Sequence, residues 1–253
     1  MGNFNTIKLS ATTSTNEYLK QKRFNDDCQD GDLVWTTQQT EGRGRSTNVW
    51  VSSPQKSIAV SIYRLFDEDA PQFPFTISLA FSVAIIKALQ KLGIPEIKIK
   101  WPNDILSCNQ KIGGILIENK MKRGIVKDSI IGFGLNVNQE SFSNLPNAAS
   151  LYTMTQKMWD LDLVFNILIK EIEETLYSDF NQNHNTLLKE FNSYLWRKNI
   201  HSKFEGSKGL FKAIPLAVDS DGKLKIHNLD KAIEESIDLS QARMLYLDAK
   251  ESS

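Results

Sequence analysis

Four turns marked by glycine or proline constrain this chain more than any other feature of its sequence. They fall at residues 42–45, 101–104, 111–114 and 132–138, each at one end of a strand candidate. Those candidates are 32–37, 57–63, 97–101, 112–118 and 129–138. In 57–63, Ile58, Val60 and Ile62 alternate with Ala59, Ser61 and Tyr63, a period of two that gives at least one buried face. Glycine inside a strand weakens it and marks close approach of a ligand or another backbone, and 112–118 and 129–138 each carry two. Clustered strand-end loops are where ligand sites are built on a rigid scaffold.

Helical signals lie between the strands. Ser14 followed by Glu17 reads as a capping box and predicts a helix over 15–22. Residues 75–92 form a long apolar segment with Gly93 just beyond it, which by length is a buried helix. Leu161, Val164, Phe165, Leu168, Ile172 and Leu176 fall at helical spacing, and a further helix is expected over 185–197. From residue 198 the texture changes to short runs with Gly206 and Gly209. An Asp221-Gly222 hairpin signal stands between 210–218 and 223–227. Two units follow, 1–197 and a small β module over 198–253.

The first turn holds the densest chemistry. Gly42-Arg43-Gly44-Arg45 joins glycine's backbone freedom to two guanidinium forks that match carboxylate and phosphate oxygens. Alone, such a sequence reads more readily as a solvated turn. The usual nucleotide signatures are missing. There is no phosphate-binding G-x-x-x-x-G-K-[ST], and Thr47 and Val137 stand where a third glycine would complete a dinucleotide fingerprint. Nothing resembles a nucleophile elbow. Anion binding therefore falls to Arg43, Arg45, Lys111 and loop amides.

Composition excludes several partners. Thirty basic residues balance thirty acidic ones, so no basic excess favours nucleic acid. The amino terminus lacks the regions of a signal peptide, and no apolar run approaches a membrane span. Cys28 and Cys108 read as free thiols in a reducing cytoplasm. His184, His201 and His227 are scattered without ligand spacing, so no protein-bound metal is expected.

Taken in order, these residues resemble the biotin protein ligases over nearly the whole chain. Ser14-Thr15-Asn16 looks like that family's S-T-N, and Gln39 through Arg45 is similar to its Q-x-x-G-R-G-R loop. Lys100-Trp101-Pro102-Asn103-Asp104 is similar to K-W-P-N-D. Residues 111–118 resemble K-x-[AG]-G-I-L-x-E, and 131–136 resemble I-G-x-G-x-N. The resemblance implies an α/β fold, a central mixed sheet flanked by helices like the class II synthetase-like ligases, followed by a small SH3-like β barrel. It implies ATP-dependent formation of biotinoyl-5′-AMP with release of pyrophosphate, then transfer of biotin to a lysine of a biotin carboxyl carrier protein. Magnesium would arrive with ATP.

By motif position, Ser14, Thr15, Asn16, Gln39, Gly42, Arg43, Gly44 and Gly114 would line the biotin pocket, with Arg43 and Arg45 closing over biotin carboxylate and phosphates. Lys111 would sit at the reacting carboxyl and α-phosphate. Trp50, Asn103 and Asn136 would meet the nucleotide, Trp50 by stacking on adenine. Asp104 would orient or deprotonate the carrier lysine. Against these stand plainer readings: a structural carboxylate for Asp104, core packing for Trp50 and above all Trp101, and a glycine bulge at Gly113-Gly114. The family loop carries a glycine where Thr47 stands, so less loop disorder without ligand is expected here. The early S-T-N leaves no room for an amino-terminal winged helix, which implies a monofunctional ligase. The edge near 111–118 would serve homodimer formation or receive the carrier. Two alternatives share these features: a lipoate or octanoate ligase, and a paralogue that binds biotin adenylate without transferring it.

Overall fold

The computed structural model describes residues 4–45, 48–51, 53–143, 145–178 and 180–246. The chain opens with strand β1 (Asn5–Leu9), helix α1 (Thr15–Phe24) and strand β2 (Asp32–Thr36). After the arginine loop come β3 (Ser57–Leu65), α2 (Phe75–Lys91), β4 (Ile97–Lys100), β5 (Asp104–Ser107), β6 (Gln110–Lys122) and β7 (Ile125–Asn136). Three helices follow, α3 (Leu151–Thr155), α4 (Leu161–Leu176) and α5 (Phe180–Ser193). The seven strands form one sheet in the order β1-β2-β3-β7-β6-β5-β4. Only β1 and β2 run parallel. The fold is α/β with a central mixed sheet, as the resemblance implied.

The alternation of β3 gives the sheet two unlike faces. Ile58, Val60 and Ile62 are fully buried and join Ile131, Phe133 and Leu135 of β7 in the main core. Helix α2 covers that face. It is apolar nearly all round because α4 and α5 pack against it as well as the sheet. Each Leu or Ile buried there contributes about 1.5–3 kcal/mol. The other face is almost bare. Ser57, Ala59 and Ser61 stand opposite Asn136, Gly134 and Gly132, and Gly114 stands opposite Gly134 on the next strand. Cross-strand partners share a face. One end of this bare floor is closed by α1, whose Leu19 packs on Val34, Tyr63 and Ile130.

A second sheet, β8 (Ser202–Gly206), β9 (Gly209–Val218), β10 (Leu224–Asn228), β11 (Ile233–Ile237) and β12 (Ala242–Met244), is antiparallel throughout, in the order β11-β10-β9-β8-β12. It matches the small SH3-like module expected. The Asp221-Gly222 hairpin forms, with Gly222 at φ +83°. Phe204, Ala213, Val218, Leu224 and Ile226 belong to the same apolar cluster as α2.

Several local expectations need correction. The capping box at Ser14 does not form: the serine side chain makes no cap, and Gln39 Oε1 takes the Thr15 amide at 2.8 Å instead. Glu17 turns outward to Lys20. The turn expected up to Asp104 gives way at once to β5, and residues 105–107, β1 and α3 carry no clear signal in the sequence. Helix α5 begins and ends earlier than expected, and its end is set where the chain after it pairs with β4. Ile99 donates to the Tyr194 carbonyl at 2.8 Å and accepts from the Trp196 amide at 2.8 Å. The glycines of 111–114 and 132–138 lie within β6 and β7, and the register shift against β5 leaves Ile112 as the extra residue. The proposed edge at 111–118 is half covered. Residues 110–114 pair with β5, and Ile115 is tied to Asn103 through its amide at 3.0 Å and its carbonyl at 2.6 Å.

Candidate active site

The bare floor acquires polar walls from α1 and the strand beside it. Thr15 and Asn16 open α1 and point onto β3, where Ser61 Oγ lies 2.7 Å from Thr15 Oγ1 and 2.6 Å from Asn16 Oδ1. Asn16 Nδ2 donates to Glu118 Oε2 at 2.8 Å. A side chain at Gly132 would collide with the Asn16 amide, so glycine there makes room for this network. Gln39 Oε1 accepts from both the amide and the hydroxyl of Thr15. The result is a fixed set of amide and hydroxyl groups at one end of the floor, suited to a small polar head group. Ser14 is buried beside it.

The far end is charged. The Asp104 carboxylate begins β5, just past the cis Trp101–Pro102 peptide. Lys111 Nζ lies 2.6 Å from its Oδ1, the Tyr246 hydroxyl donates to Oδ2 at 2.7 Å, and Lys100 Nζ stands 4.0 Å from Oδ2. Burial pulls the Lys100 ammonium below its ordinary pKa, and Asp104 works against that shift. Burial also pushes the Tyr246 phenol upward, with the Asp104 charge adding to it, so Tyr246 remains a proton-bearing donor. Partial burial lowers the Arg45 pKa while Asp104 opposes the shift, and the guanidinium stays cationic. Two lysines stand at one carboxylate and the exposed Arg45 lies within reach of its charge, an imbalance that favours an anionic ligand.

The loop between the two ends closes on itself as a small hairpin. Trp50 N donates to the Gly42 carbonyl at 2.9 Å and Gly44 N to the Asn48 carbonyl at 2.8 Å. A Cβ at Gly42 would stand 2.5 Å from the Trp50 carbonyl, so glycine is required. Arg43 reaches back to α1, its Nη1 3.2 Å from Glu17 Oε1. The same Glu17 binds Lys20, which lowers the carboxyl's pKa. The Trp50 indole lies on Gly134 and reaches Gly114, and its Nε1 is buried without a partner. Asn136 gives its Nδ2 to the Ala149 carbonyl at 3.0 Å and leaves Oδ1 unpartnered. Thr47, expected to restrain the loop, lies outside the described residues.

Of the residues expected from sequence, Thr15, Asn16 and Gln39 gather at one end and Asp104 and Lys111 meet at the other, with the exposed Arg45 near enough to feel the Asp104 charge. Gly42, Gly44, Trp50, Gly114 and Asn136 lie between them. Two of the expected residues have partners within the protein. Arg43 is held by Glu17, and Asn103 Nδ2 is committed to the Ile115 carbonyl, which pins the turn before Asp104. Trp101 is buried and bonds the Gly222 carbonyl, as its core reading required. Sequence reasoning missed Ser57, Ser61, Glu118, Lys100 and Tyr246 as site residues. The small polar side of β3 was the signal for the serines; Tyr246 had none. Among the described residues no three His, Cys, Asp or Glu side chains converge as a metal site.

Residues 9–136 match the model of the family described as biotin/lipoate A/B protein ligase. The bifunctional ligase/repressor BirA of Bacillus spizizenii is 30% identical over 222 residues, covering 85% of this chain and 66% of that protein. A biotin–[acetyl-CoA-carboxylase] ligase of Mycobacterium tuberculosis is 30% identical over 179 residues, covering 69% and 65%. The chain spans 39–66% of the length of the four BirA relatives it matches. In fold it is similar to the Aquifex aeolicus biotin protein ligase in complex with biotin and ATP. The TM-score there is 0.76 at 24% identity, over 96% of this chain and 99% of that one. A Leishmania major biotin protein ligase in complex with biotinyl-5-AMP gives 0.58 at 20% identity, over 92% and 98%. The matched residues run from the end of β1 to the end of β7 and take in all five motifs of the site, and on that match the chain belongs to the biotin/lipoate A/B protein ligase family.

Proposed function

We propose that the chain is an ATP-dependent biotin protein ligase of the cytoplasm, acting on a carboxyl carrier protein. The observation that carries this reading is the pairing of a hydrogen-bonding pocket at Thr15, Asn16, Gln39 and Ser61 with a pair of cations, Lys100 and Lys111, at Asp104, across a floor stripped of side chains. The ureido head would take the polar end and the nucleotide the charged end. Adenine would meet the Trp50 ring and the free Asn136 Oδ1.

In the first step a biotin carboxylate oxygen attacks the α-phosphorus, and pyrophosphate leaves. Two anions must approach, so the chief barrier is electrostatic, and Lys111 and Arg45 lower it by neutralising charge as it redistributes. Biotin's carboxylate and ATP are held side by side, which supplies proximity without a protein nucleophile. In the second step the carrier lysine nitrogen attacks the acyl carbon. The bond to AMP oxygen breaks, AMP leaves, and the displaced amine proton passes to Asp104. Magnesium would arrive on the nucleotide, since ATP-bound magnesium keeps few protein ligands.

The test is pyrophosphate release from ATP on adding biotin, with and without a carrier domain. Biotin-dependent release and a biotinylated carrier lysine are expected, and Lys111→Ala should cut release by roughly 10²–10³-fold, the scale of losing a preorganised charge. Release with lipoate or octanoate but not biotin would overturn the substrate assignment. Adenylate formation with no transfer to any biotin carrier would leave a binding paralogue.

A further inference from the structure

The second sheet carries one side chain into the charged end of the site. Tyr246 follows β12, and its hydroxyl donates to Asp104 Oδ2 at 2.7 Å while Lys111 holds Oδ1. Its ring has two neighbours. Lys100 Nζ sits 4.4 Å from the ring centroid, and the Trp196 ring lies 5.9 Å away. Lys100 and Asp104 bracket the turn at Trp101–Pro102, and Trp101 is itself bonded to Gly222 in the β9–β10 hairpin. The second sheet thus grips this turn twice, at its indole and at its carboxylate.

We infer that Tyr246 is a positioning residue for the transfer step, fixing the rotamer of Asp104. The inference rests on the ligase reading above. Once adenylate occupies the site, Lys111 turns to the acyl phosphate and Oδ1 is released. Tyr246 keeps Oδ2, so the freed Oδ1 stays aimed at the incoming lysine nitrogen. Without the hydroxyl the carboxylate rotates about its side-chain bonds and follows Lys111. Adenylate formation calls on Lys111 directly and is less sensitive to which way Asp104 faces.

Tyr246→Phe removes the hydroxyl and keeps both ring contacts. Rates of adenylate formation and of transfer from preformed adenylate are measured separately in single turnover. Transfer is expected to fall about tenfold relative to adenylate formation, the scale of one hydrogen bond to a charged acceptor. In an Asp104→Asn background, Tyr246→Phe should lower transfer no further, because the two residues act as one unit. A parallel fall in both rates, an unchanged transfer rate, or an additive loss in the double variant would each overturn the role. If the wild-type chain forms adenylate with biotin and labels its carrier while any of these results holds, only the Tyr246 inference fails. If wild type does neither, the ligase reading fails first.

Discussion

Gly113 and Gly134 separate what glycine does for the core from what it does for the ligand. A Cβ on Gly134 would stand 2.5–2.8 Å from three atoms of the Trp50 indole. The indole belongs to a surface loop and can move, so Gly134→Ala should leave stability within about 1 kcal/mol of wild type. It should weaken nucleotide binding about tenfold, because the stacking ring is displaced from its seat. Titration calorimetry with ATP and a thermal melt read the two effects. Unaltered ATP affinity would remove Trp50 from the nucleotide site. A Cβ on Gly113 instead meets the Phe133 ring at 2.7 Å and the Gly134 carbonyl at 3.0 Å, inside the core face. Gly113→Ala should destabilise by about 1–3 kcal/mol, as overpacking does. The glycine pairs were legible in the sequence because glycine acts at its own backbone position. Which neighbour each one spares was not, since that depends on the strand across the sheet.

At the scale of elements, helix α5 is fastened through His184. Its Nδ1 lies 2.7 Å from Thr76 Oγ1 at the start of α2, and its Nε2 lies 3.1 Å from Ser220 Oγ in the β9–β10 turn. Burial lowers the imidazole's pKa below its ordinary value. An unfolded histidine takes up a proton near pH 6.5, and the folded one resists until lower pH. Stability from this group is therefore complete above about pH 6.5 and is lost as pH falls below it. The urea midpoint should drop between pH 7.5 and 5.5, and His184→Gln should shrink that drop; an equal drop in the variant would show that other groups cause it. The sequence reading saw no ligand role for this histidine but not its clamp. The other helical misreadings share that origin. The Ser14 capping box obeyed a local pattern, yet Gln39 took the amide and Lys20 with Arg43 took Glu17. Strand β5 went unseen because four residues paired on both sides look no different in sequence from the chain after a turn. The motif residues of α1, the arginine loop, β6 and β7 were legible because their chemistry is carried in short runs. Tyr246 was not, because its partner lies 142 positions away.

At the scale of the molecule, the two sheets share one core and one site. Phe191 in α5, with Leu195 and Trp196 just after it, lies in the same cluster as Phe204, Val218 and Ile226. Asn192 binds the second sheet twice, through Val218 N to its Oδ1 at 2.7 Å and through its Nδ2 to the Val218 carbonyl at 2.9 Å. The Trp101–Gly222 and His184–Ser220 bonds add two more ties. Two layers joined by apolar contact and directed hydrogen bonds gain little by separating, since each would expose a face that water cannot satisfy as well. Unfolding should therefore be one transition despite the change of texture at residue 198. Near-ultraviolet dichroism reports the tryptophans, among them Trp101 and Trp196 at the junction, and far-ultraviolet dichroism reports both sheets and the helices. The two signals should fall together in urea. Asn192→Ala strips both bonds and leaves the Val218 amide and carbonyl without their partner, so it should shift both curves by about 1–3 kcal/mol in parallel. Separated transitions, or a variant that moves only one signal, would mean that the second sheet unfolds on its own. Asp104 would then keep its Tyr246 partner only while that sheet remains docked, and transfer activity would fall with the first transition rather than the last.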